Sequence, residues 1–226
     1  MGIAITLRKD VDTSHFRRYL LHLIQTPNTN RLLLCSGYIS EGTYYSVLDD
    51  QLLNAITSAC SGRKKEVVTI AGRFYNNRQG EQWRNKYERF IQRVDGAHVK
   101  VKPYIAPEGN WHAKVAMKLK DDNPVAGIIG SSNLTGPAYR EGGRSYNYEC
   151  DTVIWVKRRS MESYFGQRIP LEVVPGDPFS PIRAVLRPRT PQANEEERLR
   201  ALYKKILESK LVDYYDWKDE RKMRKE

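Results

Sequence analysis

Two short stretches, WHAK at residues 111–114 and GSSNLT at residues 130–135, are the starting point for interpreting this chain. His112 and Lys114 are two positions apart, so on an extended strand both side chains point to the same face. The second stretch follows the apolar residues 125–129 and offers hydroxyls, a carboxamide and backbone N–H groups. These groups, together with an imidazole and an ammonium, are suited to bind phosphate. The two stretches therefore predict a phosphate site where strands end.

Around these stretches, short apolar strands alternate with amphipathic helices. One helix is expected to begin after Ser14, and two more are expected at about 43–60 and 80–94. The predicted strands are 3–6, 31–36, 66–71, 98–104, 112–119, 125–130 and 147–157. Alternation followed by several successive strands predicts an α/β fold, with a mixed, mostly β sheet flanked by helices.

The composition changes near residue 170, which divides the chain into three predicted segments. Residues 1–170 are expected to form the main domain. Residues 171–193 are rich in proline and are interpreted as an ordered wrap or a linker. Residues 194–226 are expected to form an amphipathic helix that begins at Asn194. The apolar side of this helix either packs on its own domain or contacts a partner.

The charge of the chain is concentrated in one region. The net charge is +11, and residues 61–120 carry fourteen basic and five acidic side chains, a net of +9. A solvated face is the simpler interpretation of such a run. Because this region ends at the predicted phosphate site, we favour DNA as the partner.

Other features of the composition limit the class of protein. No apolar run approaches the roughly 18 residues of a membrane span, and the first residues lack the features of a signal peptide. The three cysteines are odd in number and widely spaced, which is typical of reduced thiols. We expect a cytoplasmic protein that does not bind membranes. Metal-ligand spacing is missing from the sequence, so we expect neither a metal nor another cofactor.

The motif His112-Ala-Lys114 followed by Gly130-Ser-Ser-Asn133 resembles the phospholipase D superfamily. The phospholipase-type motif has an acid where this chain has Leu119. The pattern is therefore more similar to the metal-independent, NgoFVII-like restriction endonucleases of that superfamily. That branch joins a later glutamate to the site, and Glu149 stands where it is expected. The resemblance implies a phospholipase D-like α/β/α sandwich whose catalytic domain is the segment 1–170.

The resemblance implies a role for each catalytic residue. His112 would attack phosphorus and form a phosphohistidine, which water then hydrolyses. Lys114 and Asn133 would stabilise charge on the phosphate oxygens. Glu149 would accept a hydrogen bond from the second imidazole nitrogen, although a plain surface carboxylate is the alternative. The candidate substrate-binding residues are Ser131, Ser132, Tyr38 and Arg73, of which the last two could equally be plain loop residues.

The chain has one copy of the paired motif, and this number predicts how the protein assembles. Attack on phosphorus and protonation of the leaving group occur on opposite sides, so one histidine cannot easily do both. Resembling proteins with one motif form dimers, and we expect a homodimer with a shared active site. Few residues remain for target recognition, which suggests a restriction or defence-system nuclease subunit with a separate recognition or ATPase subunit. The alternatives are a phosphatidyl hydrolase or transferase and a non-catalytic nucleic-acid binding module.

Overall fold

A nine-stranded mixed sheet organises the part of the chain that the structure describes. This computed structural model describes residues 2–8, 12, 14–42, 45–72, 78–106, 112–142, 146–156, 158–169, 182–184 and 195–223. The strands are β1 (Gly2–Leu7), β2 (Arg31–Ser36), β3 (Glu66–Ala71), β4 (Val101–Ile105), β5 (Val115–Lys120), β6 (Asn123–Gly130), β7 (Cys150–Trp155), β8 (Ile182–Ala184) and β9 (Val212–Asp213). The helices are α1 (His15–Ile24), α2 (Asp50–Cys60), α3 (Arg78–Gly96), α4 (Gly136–Tyr139), α5 (Arg159–Arg168), α6 (Glu195–Leu207) and α7 (Tyr214–Met223).

The strand order is β8-β1-β7-β6-β5-β2-β3-β4-β9. Strands β2, β3 and β4 are parallel, and the other described pairs are antiparallel. Strands β2 and β3 are almost continuously buried, as expected where both faces of a sheet are covered. The predicted α/β fold with a mixed sheet is therefore confirmed.

Helices lie on both faces of the sheet. The face that bears Ala116 and Ile128 lines a small cavity together with Phe16 of α1. On the opposite face, a Cβ atom added at Gly127 would lie 3.5 Å from Leu199 of α6. Leu199 is buried, so α6 packs on the sheet of its own chain. Within the described residues, no helix has the length and apolar character needed to cross a membrane.

The strand register gathers several chain segments at one edge of the sheet, which we call the site edge. Cys35 near the end of β2 pairs with Val115 at the start of β5, and Val115 pairs with Ile129 near the end of β6. Gly130 pairs in turn with Asp151 near the start of β7. The segments after β2 and β6 and those before β5 and β7 therefore meet at this edge.

Three predicted elements differ from the structure near the site edge. The helix expected at 43–60 begins at Asp50 because the Asp49 carboxylate caps it, accepting the Leu52 N–H at 2.8 Å. The strand expected from 112 begins at Val115, and the one expected from 147 begins at Cys150. The polar residues of both motifs thus lie just outside the strands, where their backbone is free to turn.

The C-terminal segment also differs from the single helix that was expected. Helix α6 is followed by a turn with Lys210 at φ 50°, the short strand β9 and helix α7. Strand β9 pairs with β4, so this segment extends the sheet. In the proline-rich segment 171–193 only residues 182–184 are described, and they form β8 against β1. The division of the chain into three segments remains a prediction.

Candidate active site

His112 and Lys114 lie side by side in the segment that leads into β5. The Lys114 amine is 2.9 Å from His112 Nδ1 and donates to the His112 carbonyl oxygen at 2.9 Å. His112 is exposed, whereas Lys114 is buried. Burial lowers the pKa of Lys114 because it disfavours the ammonium, while the charge of Glu149 opposes that shift. The two side chains are close to each other, as predicted. They do not lie on a strand, however, because β5 begins only at Val115.

Asn133 is oriented by the end of β2 and the segment after it. Its carboxamide oxygen accepts the Tyr38 N–H at 3.3 Å and lies 3.2 Å from the Ser36 hydroxyl, which shares its proton with the Tyr38 carbonyl oxygen at 2.6 Å. The Leu134 N–H donates to the same Ser36 hydroxyl at 3.0 Å, which fixes the next residue of the turn. Because the oxygen is committed, the carboxamide offers its NH2 group as a donor to a ligand.

Glu149 is held by neutral donors rather than by the imidazole. It is buried, and it accepts hydrogen bonds from Asn147 at 3.0 Å and from the Ser131 hydroxyl. The expected contact with His112 is not present, since the Nδ1 atom of that ring faces Lys114 instead. The charge of Glu149 acts on Lys114, whose ammonium it stabilises.

The two serines of the turn bind the protein and not an open site. The Ser131 hydroxyl donates to Glu149 and accepts the Cys150 N–H at 3.0 Å. The Ser132 hydroxyl donates to Asp151 at 2.6 Å, and the Ser132 N–H donates to the same carboxylate at 3.3 Å. Both hydroxyl protons are used within the chain, so these serines shape the turn, and their role in substrate binding stays a prediction.

Asp151 is a buried carboxylate that the sequence interpretation missed. Burial raises the pKa of Asp151 to about 6, the charge of Glu149 adds to that rise, and the Ser132 hydrogen bonds oppose it. A Cβ atom at Gly130 would overlap the Asp151 carboxylate and lie 2.6 Å from the Cys150 carbonyl oxygen, so this close approach requires glycine. The available signal was an isolated acid in an apolar strand, two positions after Glu149.

Arg8, which follows β1, is a second residue that sequence reasoning missed. Its guanidinium donates to the carbonyl oxygens of Pro137, Ala138 and Arg140 at 2.8, 2.9 and 2.6 Å. Its backbone N–H donates to the Glu149 carbonyl oxygen at 2.9 Å. This buried cation thereby ties the end of α4 to the segment that carries Glu149.

The two remaining candidates have different outcomes. Tyr38 lies beside Asn133, and its half-buried ring is 4.7 Å from the ring of Trp83. Arg73 lies outside the described residues. Across the described ranges, no group of three or more His, Cys, Asp or Glu side chains is arranged to hold a metal ion.

A family model described as the NgoFVII restriction endonuclease N-terminal PLD domain matches residues 17–167, more than half of the chain. The chain belongs to this family. The match includes the four predicted catalytic residues, and the resemblance inferred from the motifs is confirmed. Comparison with curated protein sequences gives no significant match.

Several solved structures are similar in fold. Phosphatidylserine synthase from Haemophilus influenzae Rd KW20 has a TM-score of 0.48 and 14% identity over 74% of this chain and 37% of its own. NucT from Helicobacter pylori has a TM-score of 0.45 and 15% identity over 94% of this chain and 99% of its own. A mutant of yeast tyrosyl-DNA phosphodiesterase has a TM-score of 0.42 and 13% identity over 68% of this chain and 46% of its own. This chain therefore spans little more than a third of the synthase, and the family assignment rests on the family model alone.

Proposed function

We propose that this protein is a metal-independent nuclease that hydrolyses DNA phosphodiesters through a phosphohistidine intermediate. The observation that carries the proposal is the exposed imidazole of His112 with the buried amine of Lys114 held 2.9 Å away. Family membership and the +9 net charge of residues 61–120 also support it.

The chemistry follows from these positions. A ring nitrogen of His112 attacks phosphorus, a nitrogen–phosphorus bond forms, and the bond to the leaving oxygen breaks. Lys114 and the NH2 group of Asn133 stabilise charge on the non-bridging oxygens. The leaving oxygen takes a proton from a general acid on the opposite side of phosphorus. Water then attacks phosphorus, gives its proton to that same group, and releases the imidazole.

We propose that the general acid is His112 of a second copy of the chain. The surface beside the site edge supports such a dimer. Ile5 and Leu7 of β1 are 42% and 38% exposed on the same face, and Tyr148 is 74% exposed next to Glu149. Burying such apolar area between two copies would stabilise the dimer.

The nuclease activity is tested by incubating purified protein with plasmid and oligonucleotide DNA in excess EDTA. We expect cleavage by wild type, none by His112→Ala, and a trapped phosphoprotein on acid quenching. Strict dependence on magnesium would contradict the mechanism. Release of headgroup from phosphatidyl vesicles, with DNA left intact, would replace the nuclease with a lipid hydrolase.

The dimer is tested by sedimentation and cross-linking. Leu7→Asp should produce monomers and abolish cleavage, while Leu207→Asp serves as the control because that side chain is 47% exposed on α6. Cys150 is exposed, and Cys35 and Cys60 are buried. A short bis-maleimide should therefore join two copies through Cys150. A monomeric wild type with full activity would contradict the shared site.

We also propose that target recognition comes from a separate subunit, as in a restriction or defence system. The described C-terminal elements support this, since α6 packs on the sheet and β9 extends it. The protein alone should cut DNA with no sequence preference. A defined cleavage site on random-sequence DNA would overturn this part of the proposal.

A further inference from the structure

A continuous series of contacts leads outward from Asn133. The Asn133 oxygen accepts the Tyr38 N–H at 3.3 Å, and the Tyr38 ring lies 4.7 Å from the Trp83 ring at an interplanar angle of 39°. The Lys86 ammonium lies 4.2 Å from the centroid of the Trp83 ring, a cation–π distance. The backbone of Tyr38 therefore adjoins the group that we propose to bind the reacting phosphate, and its ring leads on to Trp83 and Lys86.

These three side chains are partly open to solvent. Tyr38, Trp83 and Lys86 are each half-buried, and Arg89 is exposed one turn further along α3. Trp83 lies on the same face of the helix as the buried Tyr87 and Phe90, and both Trp83 and Tyr38 pack against the core. The core thus holds the two rings in place, while Lys86 and Arg89 lie toward the outward side of the helix.

The basic side chains along α3 differ in their pairing. Arg84 lies 3.4 Å from Glu81, and Arg93 lies 2.6 Å from Glu41. Within the described residues, Lys86 and Arg89 form no ion pair with a carboxylate. Two cations of the outward side are therefore available for an anionic ligand.

We propose that Tyr38, Trp83 and Lys86 form a subsite for an unpaired nucleotide that flanks the cleaved phosphate. The inference rests on the proposed nuclease function and names the form of its substrate. Bases in a duplex are stacked on their neighbours, and only an unpaired base can offer its face to an aromatic side chain. The Lys86 ammonium moves from the Trp83 ring to a phosphate, the base takes its place against the aromatic pair, and Arg89 binds the next phosphate on that side. The preferred substrate is therefore single-stranded DNA or a duplex with a frayed or overhanging end.

The experiment compares three substrates: a single-stranded oligonucleotide, the blunt duplex of the same sequence, and bis(4-nitrophenyl) phosphate, which has no base. The variants are Trp83→Leu, Trp83→Phe and Lys86→Gln. The matched control is Lys64→Gln, an exposed lysine in the loop between α2 and β3. Binding is measured by fluorescence anisotropy. Turnover is measured separately, in the presence of EDTA.

The expected results separate stacking from charge. Trp83→Leu should weaken single-strand binding about tenfold. Trp83→Phe should retain most of the wild-type affinity because it keeps an aromatic ring. Lys86→Gln should reduce the slope of log affinity against log salt by about one, and Lys64→Gln should not. For Trp83→Leu, the ratio of oligonucleotide turnover to turnover of the small diester should fall about tenfold.

Three outcomes would overturn the subsite. In the first, Trp83→Leu lowers turnover of the oligonucleotide and of the small diester equally. In the second, it lowers affinity for the single strand and for the duplex equally, and in the third neither Trp83→Leu nor Lys86→Gln lowers affinity. Binding is measured with each substitution combined with His112→Ala, which does not cleave, and His112→Ala alone tests the nuclease chemistry. Failure of the subsite is thus distinguishable from failure of the proposed function.

Discussion

Two buried carboxylates at opposite edges of the sheet have opposite surroundings. Glu66, at the start of β3, lies 2.7 Å from Arg31, 3.0 Å from Lys102 and 3.5 Å from Lys100. Burial alone would raise its pKa, but the Lys102 hydrogen bond and the three positive charges lower the pKa of Glu66. Asp151, near the start of β7, accepts hydrogen bonds from the neutral Ser132 and lies near a second carboxylate, and its pKa is raised.

The difference separates a carboxylate that stabilises the fold from one that maintains a site. A carboxylate paired with cations favours folding when it is ionised. A buried carboxylate with neutral donors costs free energy when it is ionised, and such arrangements concentrate at functional sites. Two lysines are desolvated in the same way as Asp151, because burial lowers the pKa of Lys114 and also that of Lys118, whose amine is 3.6 Å from the Cys60 sulfur.

The largest expected effect is at Lys114. Lys114→Met should lower the rate of DNA cleavage about a thousandfold because it removes charge stabilisation at phosphorus. Stability should be unchanged or slightly increased, since an apolar side chain replaces a desolvated amine. Single-turnover rates and thermal melting measure the two effects. Full cleavage by this variant would remove Lys114 from the site, and exposed Lys64→Met is the matched control.

Asp151→Asn sharpens the comparison through its pH dependence. The folded pKa of about 6 exceeds the ordinary 3.8, so the folded state binds the extra proton between these values. The contribution of Asp151 to the free energy of unfolding is therefore present below about pH 4 and declines by up to about 3 kcal/mol as the pH rises to 6.

Urea unfolding of wild type and Asp151→Asn at several pH values measures this contribution. The difference in stability between them should shift in favour of the variant as the pH rises from 4 to 6. Near Asp151, the charge of Glu149 raises the pKa of this carboxylate and the hydrogen bonds of Ser132 lower it. A difference that stays constant across this range would show that Asp151 has an ordinary pKa.

Glu66→Gln should have the opposite sign. Its folded pKa lies below the ordinary 4.5, so its contribution is present above that value and is lost as the pH falls through the folded pKa. At pH 7 the variant should lose about 2 kcal/mol of stability, with DNA cleavage unchanged. Glu81→Gln, which disrupts an exposed ion pair, is the control. Loss of cleavage in a folded Glu66→Gln protein would contradict the division between the two edges.

The smallest effect is expected at Lys100. Its side chain is 62% exposed and lies 3.5 Å from Glu66, so solvent screens the pair. Lys100→Ala should change the free energy of unfolding by no more than a few tenths of a kcal/mol. A loss similar to that of Glu66→Gln, measured in the same urea titration, would show that Lys100 dominates the cluster.

Local patterns in the sequence were sufficient for the elements and the two motifs. The strands at 31–36 and 66–71 have the predicted bounds, and Ser14 caps α1 by accepting the Arg17 N–H at 3.2 Å. These features depend on neighbours along the chain, which periodicity and capping chemistry capture. The prediction that a helix begins at residue 43 is wrong because the start of this helix depends on contacts between distant segments. Val47 and Leu48 are buried by tertiary packing before the helix begins, so their apolar pattern did not mark helical structure.

The alternating fold, the order of the motif residues and the adjacency of His112 and Lys114 could be predicted from the residues alone, because each depends on short spacings. The partners of the polar groups could not, because they depend on how distant segments pack. Ser131 binds Glu149, Asn133 is oriented by Ser36, and Arg8 reaches the end of α4. These partners are separated by 18 to 129 positions in the chain. Residue type gives the bonds that a side chain can form, but burial and strand register select which of them are made.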